Sequence, residues 1–186
     1  MSNFKNIFLL IVSPREGWKD AEKYNVPHGI LLRDMYLPLL LVLFATSYLE
    51  LLFTPHETTP LSCTQHGIVS VVKYIFGVYI SAYFISCFFP FVRKTKTYYN
   101  KFNNFLIYNL SVLIILEILS NLFLDLPFFI IFRLYIVYVI YKGLDYIDVE
   151  KDIQAKFVIY TGVILLLVPF AAELIVGLCV PNYKIF

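Results

Sequence analysis

Five long apolar runs constrain the fold of this chain more than any other feature of its sequence. Each run has 18 residues or more, and about 20 apolar helical residues cross a bilayer core of about 30 Å. Only helices or closed barrels satisfy their backbone polar groups in lipid, and these continuous runs lack the alternation of barrel strands. We therefore predict membrane-spanning helices over residues 36–53, 68–92, 105–124, 128–147 and 157–180.

The composition agrees with a membrane protein. Hydrophobic residues make up 60% of the chain and charged residues 15%, whereas an ordinary soluble domain carries about 25% charge. The mean hydropathy is +0.75. These values exclude a soluble enzyme and a nucleic-acid binder. The predicted fold class is all-α: a polytopic membrane helical bundle that forms a single domain over residues 1–186.

The distribution of basic residues predicts the orientation. The N-terminal segment and the connections after the second and fourth spans hold 12 Lys and Arg residues, whereas the opposite side holds only Lys184. Basic residues concentrate on the cytoplasmic side of membrane proteins. The N-terminus is therefore predicted in the cytoplasm and the C-terminus outside.

Two short helices are predicted before the first span. Apolar residues recur along residues 4–12 with the spacing of one helical face, and this stretch is too short to cross a bilayer. The sequence Ser13-Pro14-Arg15-Glu16 is typical of a helix start and predicts a second helix over residues 14–24. Both helices are expected to lie at the cytoplasmic interface, with Trp18 at the headgroup level.

A short motif precedes the first span. The sequence Arg33-Asp34-Met35-Tyr36-Leu37-Pro38 resembles the Asp-Leu-Tyr-Gly-Pro motif of Yip-domain proteins, a membrane family named for interaction with Ypt/Rab GTPases. Asp34, Tyr36 and Pro38 match that motif, whereas Leu37 replaces its glycine. The stretch from Ser13 to Trp18 looks like the proline–tryptophan opening of bacterial members. The resemblance implies a membrane-organising or trafficking-type role in eukaryotic members and little beyond the fold in bacterial-type members, and the expected location is a bacterial cytoplasmic membrane.

The same motif has a structural interpretation that needs no family. Asp34 is suited to an N-cap, Tyr36 to an anchor at the membrane interface, and Pro38 to the first turn of the span.

Each of the five predicted spans contains one charged residue in its outer half: Glu50, Lys73, Glu117, Arg133 and Glu173. A rise of about 1.5 Å per residue places each of them roughly 5–12 Å from the outer end of its own span. This common depth predicts one paired network. Arg133, which cannot be neutralised by deprotonation, is expected to pair with Glu117 or Glu173, and the shallower Glu50 is a further candidate. The network is predicted to comprise Glu50, Lys73, Glu117, Asn121, Asp125, Arg133 and Glu173.

Three interpretations of this network stay open from the sequence. It joins helices, it binds a solute, ion or lipid headgroup, or some of its members extend to the interface. No catalytic, metal or cofactor motif is recognised, so no enzyme, metal or cofactor is expected. We expect a Yip-type scaffold or interaction protein with membrane lipids, cytoplasmic proteins and a second copy of the chain as partners. The alternative is a small transporter, channel or lipid-handling protein.

Overall fold

The computed structural model describes residues 3–53, 59–93, 95–123 and 132–180, and their regular secondary structure is helical throughout. The all-α prediction is confirmed for these residues. The helices are α1 (Asn3–Val12), α2 (Pro14–Tyr24), α3 (His28–Leu31), α4 (Leu37–Phe53), α5 (Pro60–Phe88), α6 (Lys96–Leu122), α7 (Tyr135–Lys142) and α8 (Gln154–Cys179).

Four helical stretches of the described residues are long and apolar enough to cross a bilayer. The first is continuous from α3 through a π-helical turn into α4, and the last begins with a short 3-10 turn before α8. Their lengths of 26 to 29 residues exceed the span of a bilayer core. The chain is therefore a membrane-embedded, multi-pass protein. The four stretches are His28–Phe53, Pro60–Phe88, Lys96–Leu122 and Lys151–Cys179.

Two helices begin earlier in the chain than the membrane spans predicted within them. The second span was predicted from residue 68, whereas α5 begins at Pro60, where the side chains of Thr59 and Ser62 form a reciprocal capping box. The third was predicted from residue 105, whereas α6 begins at Lys96 after a Thr95 side-chain cap. Apolar runs locate the part of a helix that lies in lipid, but capping side chains decide where the helix begins.

The predicted fourth span, residues 128–147, is only partly described. Residues 128–131 lie outside the described ranges, and α7 ends at Lys142 rather than at residue 147. Gly143 follows α7, and a Cβ atom there would lie 2.7 Å from both Phe105 and Trp18. The eight residues of α7 cover about 12 Å. A fifth crossing therefore stays a prediction.

Helix α6 lies at the centre of the bundle. In its apolar window 78% of residues are buried, against 33%, 50% and 28% in the other three spans. Helices α5 and α8 run antiparallel, because Lys73 contacts Glu173 while Phe88 stacks on Tyr160 at the other end of the pair. This packing brings α5 and α8 together beside the central helix, where the charged residues meet.

The two N-terminal helices form a hairpin, hereafter the N-terminal hairpin (α1 and α2). They cross so closely that a Cβ atom on Gly17 would lie 2.7 Å from the backbone nitrogen of Leu10. Ile7 and Leu10 are buried, whereas Phe8 and Val12 are 66% and 65% exposed. Both predicted helices are thus present in the structure, and their interfacial location stays a prediction.

Trp18 attaches the N-terminal hairpin to the bundle. Trp18 is only 3% exposed, so it is buried inside the protein, and its predicted depth at the headgroup level stays a prediction. Its indole Nε1 donates to the backbone oxygen of Val139 at 2.9 Å, and its ring stacks on Phe105 with centroids 5.1 Å apart. A buried indole needs an acceptor for its N–H, and a backbone carbonyl in the last turn of α7 provides one.

Candidate functional site

The candidate site is a cluster of charges between α5, α6 and α8, hereafter the Lys73 cluster (Lys73, Tyr74, Glu117, Arg133 and Glu173). The Lys73 ammonium lies 2.7 Å from Glu117 Oε1 and 2.8 Å from Glu173 Oε2. The side chains of Lys73 and Glu117 are only 8% and 7% exposed. Ion pairs at these distances within a buried site are strong, charge-assisted hydrogen bonds.

Arg133 and Tyr74 also contact the Glu117 carboxylate. The Arg133 guanidinium lies 3.7 Å from Glu117 Oε2, and the Tyr74 hydroxyl donates to the same oxygen at 2.8 Å. Two cations therefore meet two carboxylates, and the formal charge of the cluster is balanced. The structure brings Arg133 to Glu117, one of its predicted partners. The Arg133 side chain is 45% exposed and lies at the edge of the cluster, whereas Lys73 lies at its centre.

A second polar cluster lies beside the first, hereafter the Glu50 cluster (Ser47, Glu50, His66 and Asn121). His66 Nε2 lies 3.6 Å from Glu50 Oε2. With its amide nitrogen turned toward the carboxylate, Asn121 donates to Glu50 Oε2 at 3.2 Å and to the backbone oxygen of Glu117 at 3.0 Å, and it accepts from Ser47 Oγ at 2.9 Å. Asn121 thus connects the two clusters, because its amide contacts a member of each.

The predicted network of seven residues is therefore divided between two contacting clusters. Four of its members lie in the Lys73 cluster, and Glu50 and Asn121 lie in the Glu50 cluster. Asp125 lies outside the described residues. Three members of the two clusters, Ser47, His66 and Tyr74, were not part of the predicted network. His66 stands two helical turns before Lys73 on α5, so helical periodicity could have placed it on the same face.

The three positions of the family motif do not have the roles that the sequence suggested. Asp34 lies within the π-helical turn Leu32–Tyr36 rather than before a helix, so its assignment as an N-cap is wrong. Its carboxylate pairs with Arg33 at 2.6 Å. Tyr36 is 2% exposed and donates its hydroxyl to the backbone oxygen of Tyr74 at 2.9 Å, so it is a buried contact between helices and not an interfacial anchor.

Pro38 lies inside a continuous helical stretch that begins at His28, so its placement in the first turn of the span is wrong. Proline has no N–H to donate and its ring clashes with the carbonyl four residues before it. The π-helical turn Leu32–Tyr36 ends two residues before Pro38, and such a turn widens the backbone near the point where the hydrogen-bond ladder is interrupted. The turn thus lets the helix pass a proline without ending.

A small cavity lies among the charges of the Lys73 cluster. Its volume is about 40 Å³, and Leu165 and Pro169 contribute to its wall together with the charged side chains. A water molecule needs about 10–15 Å³ of such space, so a few waters fit and a metabolite does not. Pro169 lies inside α8 and lacks the N–H that would bond to the Leu165 carbonyl. That carbonyl is a further acceptor beside the cavity.

Other chemistry has little support in the described residues. No group of three His, Cys, Asp or Glu side chains there is arranged to hold a metal ion. Cys63, Cys87 and Cys179 are free thiols. The arrangement can hold helices together and can hold protons or a few waters.

Comparisons with known proteins do not supply a family. No family model, no curated protein and no solved structure matches the chain. The class that the fold defines is a multi-pass, membrane-embedded helical protein with a buried, charge-balanced cluster.

Proposed function

We propose that this chain is a non-enzymatic integral membrane scaffold of the Yip type, which organises the membrane around it. One observation carries the proposal: the Lys73 ammonium is closed between two carboxylates, 2.7 Å from Glu117 and 2.8 Å from Glu173. A solute site needs a charged group that is open to its ligand, whereas both contacts of this ammonium are internal.

The Lys73 cluster supports a structural role because helix association in lipid has no hydrophobic driving force. Polar contacts and close packing replace it. Lys73 on α5 contacts Glu117 on α6 and Glu173 on α8, so a single ammonium joins three spans. A rigid bundle of this kind is suited to presenting a fixed surface to lipids and to partner proteins.

The N-terminal hairpin supports a role in membrane organisation. It packs on α6 and α7 through Trp18, at the end of the bundle where Phe105 and Val139 lie. The exposed side chains of Phe8 and Val12 on the hairpin add apolar surface at that end of the bundle. A helix inserted at one interface expands one leaflet more than the other. The shape of the protein therefore favours a curved membrane.

The five-span topology belongs to the same proposal. Arg133 contacts Glu117, and Gly143, after the end of α7, lies against Phe105. The described part of residues 128–147 therefore runs antiparallel to α6, as a return crossing requires. With the distribution of basic residues, this supports a cytoplasmic N-terminus and an outer C-terminus. Residence in a bacterial cytoplasmic membrane belongs to the proposal through the resemblance to bacterial Yip-type members.

Reconstitution of the full chain into liposomes tests the proposal. We expect the mean vesicle diameter, measured by electron cryomicroscopy, to fall as the protein-to-lipid ratio rises. The double variant Phe8→Ser with Val12→Ser should lose this effect, and the matched variant Lys19→Ser on the exposed face of α2 should keep it. A diameter that does not depend on the protein content would overturn the proposal.

A small transporter or channel is the second candidate, and one observation favours it. The side chains of Glu173 and Arg133 are 23% and 45% exposed, so the Lys73 cluster is open to its surroundings where these two residues lie. The same liposomes distinguish the two functions when they carry a pH-sensitive dye and a sodium-sensitive dye. A scaffold leaves both fluxes at the level of empty vesicles. A flux of protons or Na⁺ that Lys73→Met abolishes supports transport.

A further inference from the structure

A second polar pocket lies at the end of the bundle where α7 ends, hereafter the Arg15 pocket. Its volume is about 240 Å³. It is formed where the start of α2, the end of α7, the turn that follows and the start of α8 meet. The pocket is lined by Arg15, Tyr141, Lys142, Leu144, Asp145 and Gln154.

Three charged side chains line this pocket without an ionic partner. Among the described residues, Arg15, Lys142 and Asp145 have no oppositely charged group within 4.0 Å. The charged groups of the Lys73 cluster all form ion pairs, whereas these three charged groups of the Arg15 pocket do not. Two cations and one carboxylate around one cavity match a ligand that carries both an anionic and a cationic group.

The position of the pocket indicates where such a ligand comes from. The ends of membrane-spanning helices lie at the level of the lipid headgroups, and basic pockets between helices at this level bind phospholipid headgroups. The Lys142 ammonium lies 5.0 Å from the centroid of the Tyr141 ring and 5.4 Å from that of Tyr138. Tyrosines are enriched at this level of membrane proteins.

An apolar surface continues from the pocket toward the membrane interior. Leu134, Tyr138 and Tyr141 are 60%, 47% and 54% exposed and follow one another at helical spacing. They form one outward face along α7 and the turn before it. A lipid whose headgroup enters the pocket therefore has an apolar surface for its acyl chains.

We propose that the Arg15 pocket binds the headgroup of an amine-bearing phospholipid, such as phosphatidylethanolamine. Arg15 and Lys142 hold the phosphodiester, since a guanidinium and an ammonium are the usual phosphate ligands in proteins. Asp145 holds the ammonium. This site is independent of the scaffold function, because it requires only that the end of α7 lies at the lipid headgroups.

Native mass spectrometry of the full chain, titrated with lipids of matched acyl chains, tests the proposal. We expect phosphatidylethanolamine to bind more tightly than phosphatidylglycerol, which lacks the amine, and than phosphatidylcholine, which has no N–H to donate. Arg15→Gln and Lys142→Gln should each weaken phosphatidylethanolamine binding about tenfold, or about 1.4 kcal/mol. Asp145→Asn should remove the preference for phosphatidylethanolamine over phosphatidylglycerol.

The matched control is Lys23→Gln, an exposed charge on the same helix α2 that does not line the pocket. It should bind phosphatidylethanolamine as the wild type does. Thermal unfolding of each variant checks its fold, and Arg15 and Asp145 are exposed, so little change is expected there. Phosphatidylethanolamine binding that survives both Arg15→Gln and Lys142→Gln overturns the site. Tighter binding of phosphatidylglycerol in the wild type, or equal occupancy by free phosphoethanolamine, overturns the assigned ligand.

Discussion

Replacing Lys73 by methionine tests the Lys73 cluster most directly. Methionine keeps the length and apolar stem of lysine but removes the ammonium, so Glu117 and Glu173 are left without their shared partner. In the wild-type protein the ammonium lies 2.7 Å from Glu117 and 2.8 Å from Glu173. The variant therefore leaves two carboxyl groups close together in a site that is largely closed to water.

The magnitude follows from the exposure of the groups. Removing one member of a buried ion pair costs about 3–5 kcal/mol in soluble proteins, and local water entry in membranes reduces this figure. The Glu117 side chain is 7% exposed, so we expect a loss of about 3 kcal/mol for Lys73→Met. In a chain of this length that corresponds to a fall in Tm of roughly 6–12 °C.

Thermal unfolding in detergent, followed by far-ultraviolet circular dichroism, measures this change. Arg133→Ala should cost about 1 kcal/mol or less, because Arg133 is half-exposed and 3.7 Å from its carboxylate. The control Lys19→Met removes an exposed ammonium that pairs with Glu16 at 3.0 Å, and its Tm should stay near that of the wild type.

A double variant decides whether the loss comes from the ion pair. Adding Glu117→Gln to Lys73→Met removes the charge of one of the two carboxylates that shared the ammonium, so part of the lost stability should return. Interacting groups show coupling energies of about 0.5–3 kcal/mol. If the two substitutions are additive, or if Lys73→Met melts like the wild type, the cluster does not stabilise the bundle and the reasoning is wrong.

Three further predictions concern the N-terminal hairpin and the topology. Gly143→Ala should destabilise the protein by about 1–3 kcal/mol in the same melting assay, because its Cβ would lie 2.7 Å from Phe105; an unchanged Tm would mean that the aromatic rings move aside freely. Cysteines introduced at Ser2 and at Lys23 should both react with a reagent applied from the cytoplasm, and labelling from opposite sides would contradict an interfacial hairpin. A reporter fused after Phe186 should be active outside the cell, since the basic residues favour a cytoplasmic N-terminus; cytoplasmic activity would reverse the topology.

The sequence was sufficient to predict the helical membrane bundle, because lipid restricts the backbone to few structures and apolar runs are visible without any tertiary information. It also predicted that Lys73, Glu117, Arg133 and Glu173 meet, since a charge within lipid needs a partner at its own depth. Which carboxylate takes which cation was not predictable. The rotation of each helix about its axis decides that pairing, and hydropathy does not report rotation.

The burial of Tyr36 and Trp18 inside the protein was not predictable, for a related reason. Both are amphipathic residues that are enriched at membrane interfaces, so the sequence alone indicates a depth in the membrane but not a contact inside the protein. Each instead found a backbone acceptor inside the protein, Tyr74 O for Tyr36 and Val139 O for Trp18. A hydrogen bond between residues that are distant in the sequence cannot be predicted from the residues next to either partner.

The chain contains a single tryptophan, and its position makes the protein its own fluorescence reporter. Trp18 is packed against Phe105, Tyr108 and Tyr146 while the hairpin is docked. Undocking would expose the indole to water and shift its emission to longer wavelength, whether or not the spanning helices separate. Emission and ellipticity recorded on one sample would therefore distinguish detachment of the first 24 residues from melting of the whole bundle.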